Sequence, residues 1–159
     1  TTDIYTLSLH DALPIYNYIA EYEQQYPLVR HYLSEQVEMA YRTGYVETLT
    51  GRRRIIPELK SQNRNLRQFG ERAAMNTPVQ GAAADLIKMA MVLAEQGLRS
   101  AGLKAALILQ VHDELIVEAP LAEAGQAAAI LREAMENAMT LKVPLLADVR
   151  RGNSWADCK

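Results

Sequence analysis

Three consecutive residues carry the clearest chemical potential in this chain: His112, Asp113 and Glu114, inside the string Gln110-Val111-His112-Asp113-Glu114-Leu115-Ile116-Val117. Two carboxylates beside an imidazole are hard-oxygen and proton-handling groups of the kind that hold Mg²⁺. Apolar, β-prone runs flank the triplet, Ala105 to Val111 before it and Leu115 to Ala119 after it. Such runs read as two strands, which puts the triplet at the tip of a β-hairpin. Successive strand side chains point to opposite faces, so Asp113 and Glu114 cannot both grip one ion from a regular strand unless the turn bends them together. A merely solvated polar tip remains open on spacing alone.

The second concentration of chemistry is basic. Seven cations (Arg52, Arg53, Arg54, Lys60, Arg64, Arg67 and Arg72) face only Glu58 and Glu71 over the same stretch, although the 159-residue chain has a net charge of −2. A local positive stretch in a slightly acidic protein suggests a polyanion partner, with a solvated charge run as the bland alternative.

The elements that position these residues can be sketched from periodicity. Tyr18, Tyr22, Val29, Leu33, Val37 and Ala40 recur at helical spacing over 17–43, with Pro27 opening a second helix and Gly44 closing it. The tyrosines read as packing residues in preference to nucleotide stackers. Residues 45–56 have β-character on both sides of a Thr50-Gly51 turn, and 57–68 reads as a polar surface loop. Residues 71–98 predict a helix with an apolar stripe of Leu86, Met89, Ala90 and Leu93. Within it, Thr77-Pro78-Val79-Gln80 fits a capping box with Thr77 as N-cap. A further helix follows Pro120 and runs to Met139, and Leu145 to Val149 predicts a final short strand. The fold class is therefore α+β: antiparallel strands with packed helices. At 49% hydrophobic content the chain can bury one core. The one cysteine, Cys158, excludes an intrachain disulfide or a multi-cysteine zinc site, and a reducing cytoplasm fits. No apolar run reaches membrane-spanning length.

Several strings, in order, resemble the family A DNA polymerases of the bacterial DNA polymerase I group. The hairpin string is similar to that family's motif C. Gly44-Tyr45-Val46-Glu47-Thr48-Leu49-Thr50-Gly51-Arg52-Arg53-Arg54 resembles the segment between fingers and palm. The run from Glu71 through Arg72, Asn76, Pro78, Gln80 and Asp85 to Lys88 resembles the palm helix before motif C, and Gly152-Asn153-Ser154-Trp155 the family's carboxyl end. Order and spacing agree from about Asn17 to Lys159. The resemblance implies a helical fingers remnant over 17–44 and the C-terminal part of a palm, with its antiparallel sheet, over 45–159.

It implies also template-directed nucleotidyl transfer to a primer 3′-hydroxyl, in replication or repair, with two Mg²⁺ ions and with primer–template DNA and deoxynucleoside triphosphates as partners of a monomeric, cytoplasmic parent. Two cations about 4 Å apart can stabilise both the attacking and the leaving oxygen of such a displacement. Asp113 falls on the family's metal-binding aspartate and Glu114 on the neighbouring acid. His112 matches a residue beside the primer terminus, with orientation of Asp113 by hydrogen bonding as the alternative. Arg72, Asn76 and Gln80, at intervals of four, match positions that touch the primer–template minor groove. That groove offers similar acceptors at every base pair, so donors there feel pair geometry without reading sequence. Arg52, Arg53, Arg54 and Lys60 are assigned to phosphates.

The family also needs a second aspartate and a nucleotide-binding fingers helix, and neither motif appears before Asn17. The chain alone is therefore expected not to polymerise and to expose apolar surface. A non-catalytic primer–template-binding fragment is the alternative; a metal-dependent nuclease or phosphatase on Asp113 and Glu114 would need more carboxylates. Residues 1–16 stand apart: Thr6-Leu7-Ser8-Leu9-His10-Asp11-Ala12-Leu13-Pro14-Ile15 resembles a translated sequencing adapter and is expected to be non-native. Its His10-Asp11 pair lies in no expected periodic element and is read as unrelated to the chemistry.

Overall fold

The structure, a computed structural model, describes residues 9–158, with side chains from residue 16 onward. It is mixed α+β, with two two-stranded antiparallel sheets and four α-helices among the described residues. The chain divides between Pro78 and Val79 into two compact units.

In the first unit, α1 (Leu9–Gln25) and α2 (Pro27–Thr43) meet at Pro27, whose fixed φ suits a first helical turn. Helix α1 takes in His10 and Asp11, which corrects the expectation that the pair lies outside any periodic element. The adapter-like residues before Leu9 lie outside the described residues. Gly44 ends α2 in the left-handed region at φ 82°, and its N–H donates to Ala40 O at 2.8 Å. Strands β1 (Tyr45–Glu47) and β2 (Arg53–Ile55) pair antiparallel around the expected turn, where Gly51 takes φ 80°. Ala40, Val46, Ile56, Leu59 and Ala74 form the buried core of this unit.

The tyrosines are not core. Tyr18, Tyr22, Tyr26, Tyr32 and Tyr41 are all exposed, Tyr18 by 71%, because α1 and α2 are not roofed on that side by another described element. Tyr18, Tyr22 and Tyr26 instead line an open apolar groove with Ile19, Val29 and Leu33.

A 3₁₀ turn (Pro57–Lys60) leads to α3 (Arg64–Ser100), which begins seven residues before the expected start. Asn63 is the reason: its Oδ1 accepts the N–H of Asn65 at 2.9 Å and its carbonyl accepts that of Arg67, which makes it an N-cap. The capping box at Thr77 is overturned, because α3 continues through Pro78. Thr77 Oγ1 donates backwards to Ala73 O at 2.6 Å, as a mid-helix threonine does.

In the second unit, the buried side of α3 is Ile87, Ala90, Ala94 and Leu98, while Met89 and Leu93 are exposed, so the stripe is rotated from the expected one. Strands β3 (Ala106–Val111) and β4 (Glu114–Glu118) form the expected hairpin, with a bulge between Leu107 and Leu109. Helix α4 (Ala124–Glu136) buries Ala127, Leu131 and Ala134. Its N-terminal neighbour Glu123 accepts the backbone N–H groups of Lys104 and Ala105 at 2.8 and 3.1 Å, which fixes the start of β3. The expected strand at 145–149 does not form: Ala147 N donates to the Glu136 carboxylate, so that backbone is used by a side chain and not by a ladder. The large apolar residues Leu121 (94% exposed), Leu146 (87%) and Val143 (66%) face solvent.

Candidate active site at the hairpin tip

The β3–β4 register pairs Val111 with Glu114, which leaves His112 and Asp113 as a two-residue turn. Hairpin turns of this length need positive φ at a central residue to match strand twist. His112 supplies it at φ 53°, the one non-glycine with positive φ among the described residues. Such a conformation is uncommon outside glycine, although histidine is enriched in it. Gln110 Nε2 donates to the His112 carbonyl at 2.5 Å and so pins the turn from inside β3.

The three tip residues are exposed and have different surroundings. Glu114 Oε2 accepts the indole N–H of Trp155 at 3.3 Å, which brings the C-terminal 3₁₀ turn (Trp155–Cys158) onto the hairpin. The Asp113 carboxylate, by contrast, has no hydrogen-bond or ion-pair partner among the described residues. No hydrogen bond joins His112 to Asp113 among them either. The turn therefore puts one unengaged carboxylate at its apex and one tethered carboxylate at the first strand position.

The other expected site residues separate by unit. Arg52, Arg53, Arg54, Lys60, Arg72 and Asn76 belong to the first unit, and Gln80, His112, Asp113 and Glu114 to the second. Arg72, Asn76 and Gln80 are exposed on α3. The basic residues of the ribbon are partly engaged. Arg53 Nε donates to Glu47 Oε1 at 2.6 Å, and its guanidinium lies 4.6 Å from the Tyr45 ring centre. That hydrogen bond raises the guanidinium above its ordinary value. Arg54 Nη1 donates to Thr77 Oγ1 at 3.1 Å. Lys60 is exposed. Two contributors escaped sequence reasoning. Gln110 and Trp155 both lay inside recognised strings, yet neither residue type advertises a supporting role; only the folded contacts reveal one.

The sequence model of DNA polymerase family A matches residues 14–157. The chain belongs to DNA polymerase family A. The family A chain is 49% identical over 142 residues to DNA polymerase I of Bacillus subtilis, covering 89% of this chain and 16% of that protein. It is 47% identical over 142 residues to DNA polymerase I of Caldicellulosiruptor bescii, of which it covers 17%. It therefore spans about a sixth of the curated relatives' length. Among solved structures, it resembles the POL domain of Pol1 from M. smegmatis in complex with DNA primer-template and dNTP, with 45% identity and a TM-score of 0.85 over 88% of this chain and 25% of that one.

Members of this family use divalent metal. The donor chemistry at the hairpin tip suits one such ion, since carboxylate oxygens at a strand end are what Mg²⁺ prefers. Among the described residues, however, no group of three or more His, Cys, Asp or Glu could hold a metal ion. The tip thus offers two adjacent carboxylates, with no third such group beside them among the described residues. No helix of the described residues is long and apolar enough to cross a membrane.

Proposed function

We propose that this chain forms part of a DNA-directed DNA polymerase, with the hairpin tip as its metal-facing corner. The observation that carries the reading is the exposed, unengaged carboxylate of Asp113 on a two-residue turn, in a chain that family A matches over nearly its whole length. Asp113 is the residue that would hold Mg²⁺, with Glu114 as the neighbouring acid beside it. A bound divalent ion there would neutralise charge on phosphate oxygens during nucleotidyl transfer.

The chain's own residues prepare that corner. Gln110 fixes the His112 carbonyl, which holds the turn and hence the position of Asp113. His112 presents its imidazole from the same turn toward a primer end. Arg72 and Asn76, exposed one turn apart on α3, supply donors for the minor groove of a primer–template duplex, and Gln80 continues the spacing. Lys60 and the arginines of β2 meet phosphates, with Arg53 and Arg54 braced by Glu47 and Thr77. Fingers belong to 17–44 and palm to 45–159 in this reading, and the non-native segment is confined to residues before 14, where the family match begins.

A second reading, a DNA-binding piece without catalysis of its own, is favoured for the isolated chain by the two-carboxylate limit. One experiment addresses both. Primer–template binding is measured by anisotropy over a salt series, alongside templated extension with Mg²⁺. Salt-sensitive duplex binding, weakened by Arg72→Ala, with no extension is the expected result. No duplex binding overturns the DNA reading, and extension by the chain alone overturns the claim that it does not polymerise by itself.

A further inference from the structure

We propose that Trp155 is a positioning residue for Glu114, and that the C-terminal turn acts as a clamp that keeps Glu114 from joining Asp113 on a cation. This rests on the reading that the hairpin tip faces a divalent metal. The geometry consists of one contact and its setting. The indole N–H of Trp155 reaches Glu114 Oε2 at 3.3 Å across 41 residues of chain. Its own turn is held shut locally: Ser154 Oγ donates to Asp157 Oδ2 at 2.9 Å, Asp157 N donates to Ser154 O at 3.1 Å, and Cys158 Sγ reaches the same carbonyl at 3.5 Å. Gly152 is packed so closely that a Cβ there would meet the Asp157 Cβ at 2.5 Å. The donor is therefore presented by a folded turn and not by a loose tail.

The consequence is a difference between two adjacent acids. An indole has one N–H and no acceptor, so it can only hold a carboxylate by one oxygen. Glu114 has the longer side chain and, untethered, could swing from the first position of β4 toward the apex. Tethered, it contributes charge near the ion while Asp113 alone is available as a direct ligand. Removing the indole N–H should convert a one-carboxylate site into a two-carboxylate one.

Trp155 is the chain's one tryptophan, so no second indole contributes to the emission. In the full 159-residue chain, Glu114→Ala is expected to red-shift the emission and increase its quenching by acrylamide, while Glu114→Gln, whose amide oxygen still accepts, leaves both near wild type. The positioning role is read from Mn²⁺ affinity, measured by loss of the free-ion spin-resonance signal. Trp155→Phe should bind Mn²⁺ more tightly by roughly twofold or more, the low end of coupling between residues in contact. The gain should vanish in Trp155→Phe/Glu114→Gln. Identical emission in wild type and Glu114→Ala overturns the contact. Unchanged Mn²⁺ affinity in Trp155→Phe, including no measurable binding by either chain, overturns the positioning role. Wild-type Mn²⁺ binding that Asp113→Asn leaves intact counts instead against the metal-facing assignment of the tip.

Discussion

Arg54 donates through Nη1 to Thr77 Oγ1 at 3.1 Å, and the same hydroxyl donates to Ala73 O at 2.6 Å, one residue before a proline that leaves α3 without an amide donor. The threonine joins β2 to α3 where the helix ladder is weakest. Thr77 is buried, so replacing its hydroxyl takes the acceptor from the Arg54 guanidinium and the extra donor from the Ala73 carbonyl. Thr77→Val, nearly isosteric, is expected to lower stability by about 1–3 kcal/mol. Urea denaturation checks this; a change within a few tenths of a kcal/mol would mean the contact is incidental.

Gly97 makes the opposite case to the usual helix rule. Alanine in a helix interior is worth about 1 kcal/mol over glycine. A Cβ at Gly97, however, would meet Ile130 Cγ2 of α4 at 2.6 Å. Overpacking of this kind costs about 1–3 kcal/mol. Gly97→Ala should therefore destabilise the chain, and Ile130→Ala in the same background should recover part of the loss. A rise in Tm for the single variant would contradict the α3–α4 packing described.

Tyr41 links α2 to α3 by donating to Glu71 Oε1 at 2.6 Å. That hydrogen bond, followed by burial and the charge of Glu71, raises the phenol above its ordinary value of 10.0, with Arg67 opposing. The folded chain thus holds this proton more tightly than the unfolded one. Its stabilisation is complete below pH 10 and is lost as pH rises through the raised value. Tyr41 is 46% exposed, so Tyr41→Phe is expected to remove only about 0.5 kcal/mol at neutral pH after screening. The difference between wild type and Tyr41→Phe should shrink above pH 10, measured by denaturation across that range. A difference that grows with alkalinity would reverse the assignment.

His112 pays a conformational cost for its place on the turn, φ 53°. A left-handed residue other than glycine costs about 1–2 kcal/mol. His112→Gly is expected to stabilise the hairpin by up to about 1 kcal/mol, and His112→Val to destabilise it by more, since a β-branched side chain tolerates this region worst. If glycine also lowers stability, the imidazole itself supports the fold and the strain is not held for function.

The sequence made legible what depends on local rules. Pro27 and Gly44 punctuate α2, Gly51 marks the ribbon turn, and alternating apolar runs set the hairpin. It misled where tertiary contacts override local preference. Pro78 read as a helix start because its missing N–H is harmless there; in the folded chain Thr77 and its neighbours carry the helix past it. The exposed tyrosines read as core because helical spacing reveals a face but not whether anything covers it. At the tip, residue types identified the acids, yet the distinction between Asp113 and Glu114 depends on Trp155, 41 residues away, which no local pattern encodes.

The central claim is that Asp113 stands at the reacting end of a DNA polymerase. It is tested by grafting residues 14–157 in place of the matching segment of the Bacillus subtilis DNA polymerase I and measuring templated primer extension with Mg²⁺. The grafted enzyme is expected to extend primers, and Asp113→Asn within the graft to abolish extension while duplex binding persists. Extension that survives Asp113→Asn would contradict the account.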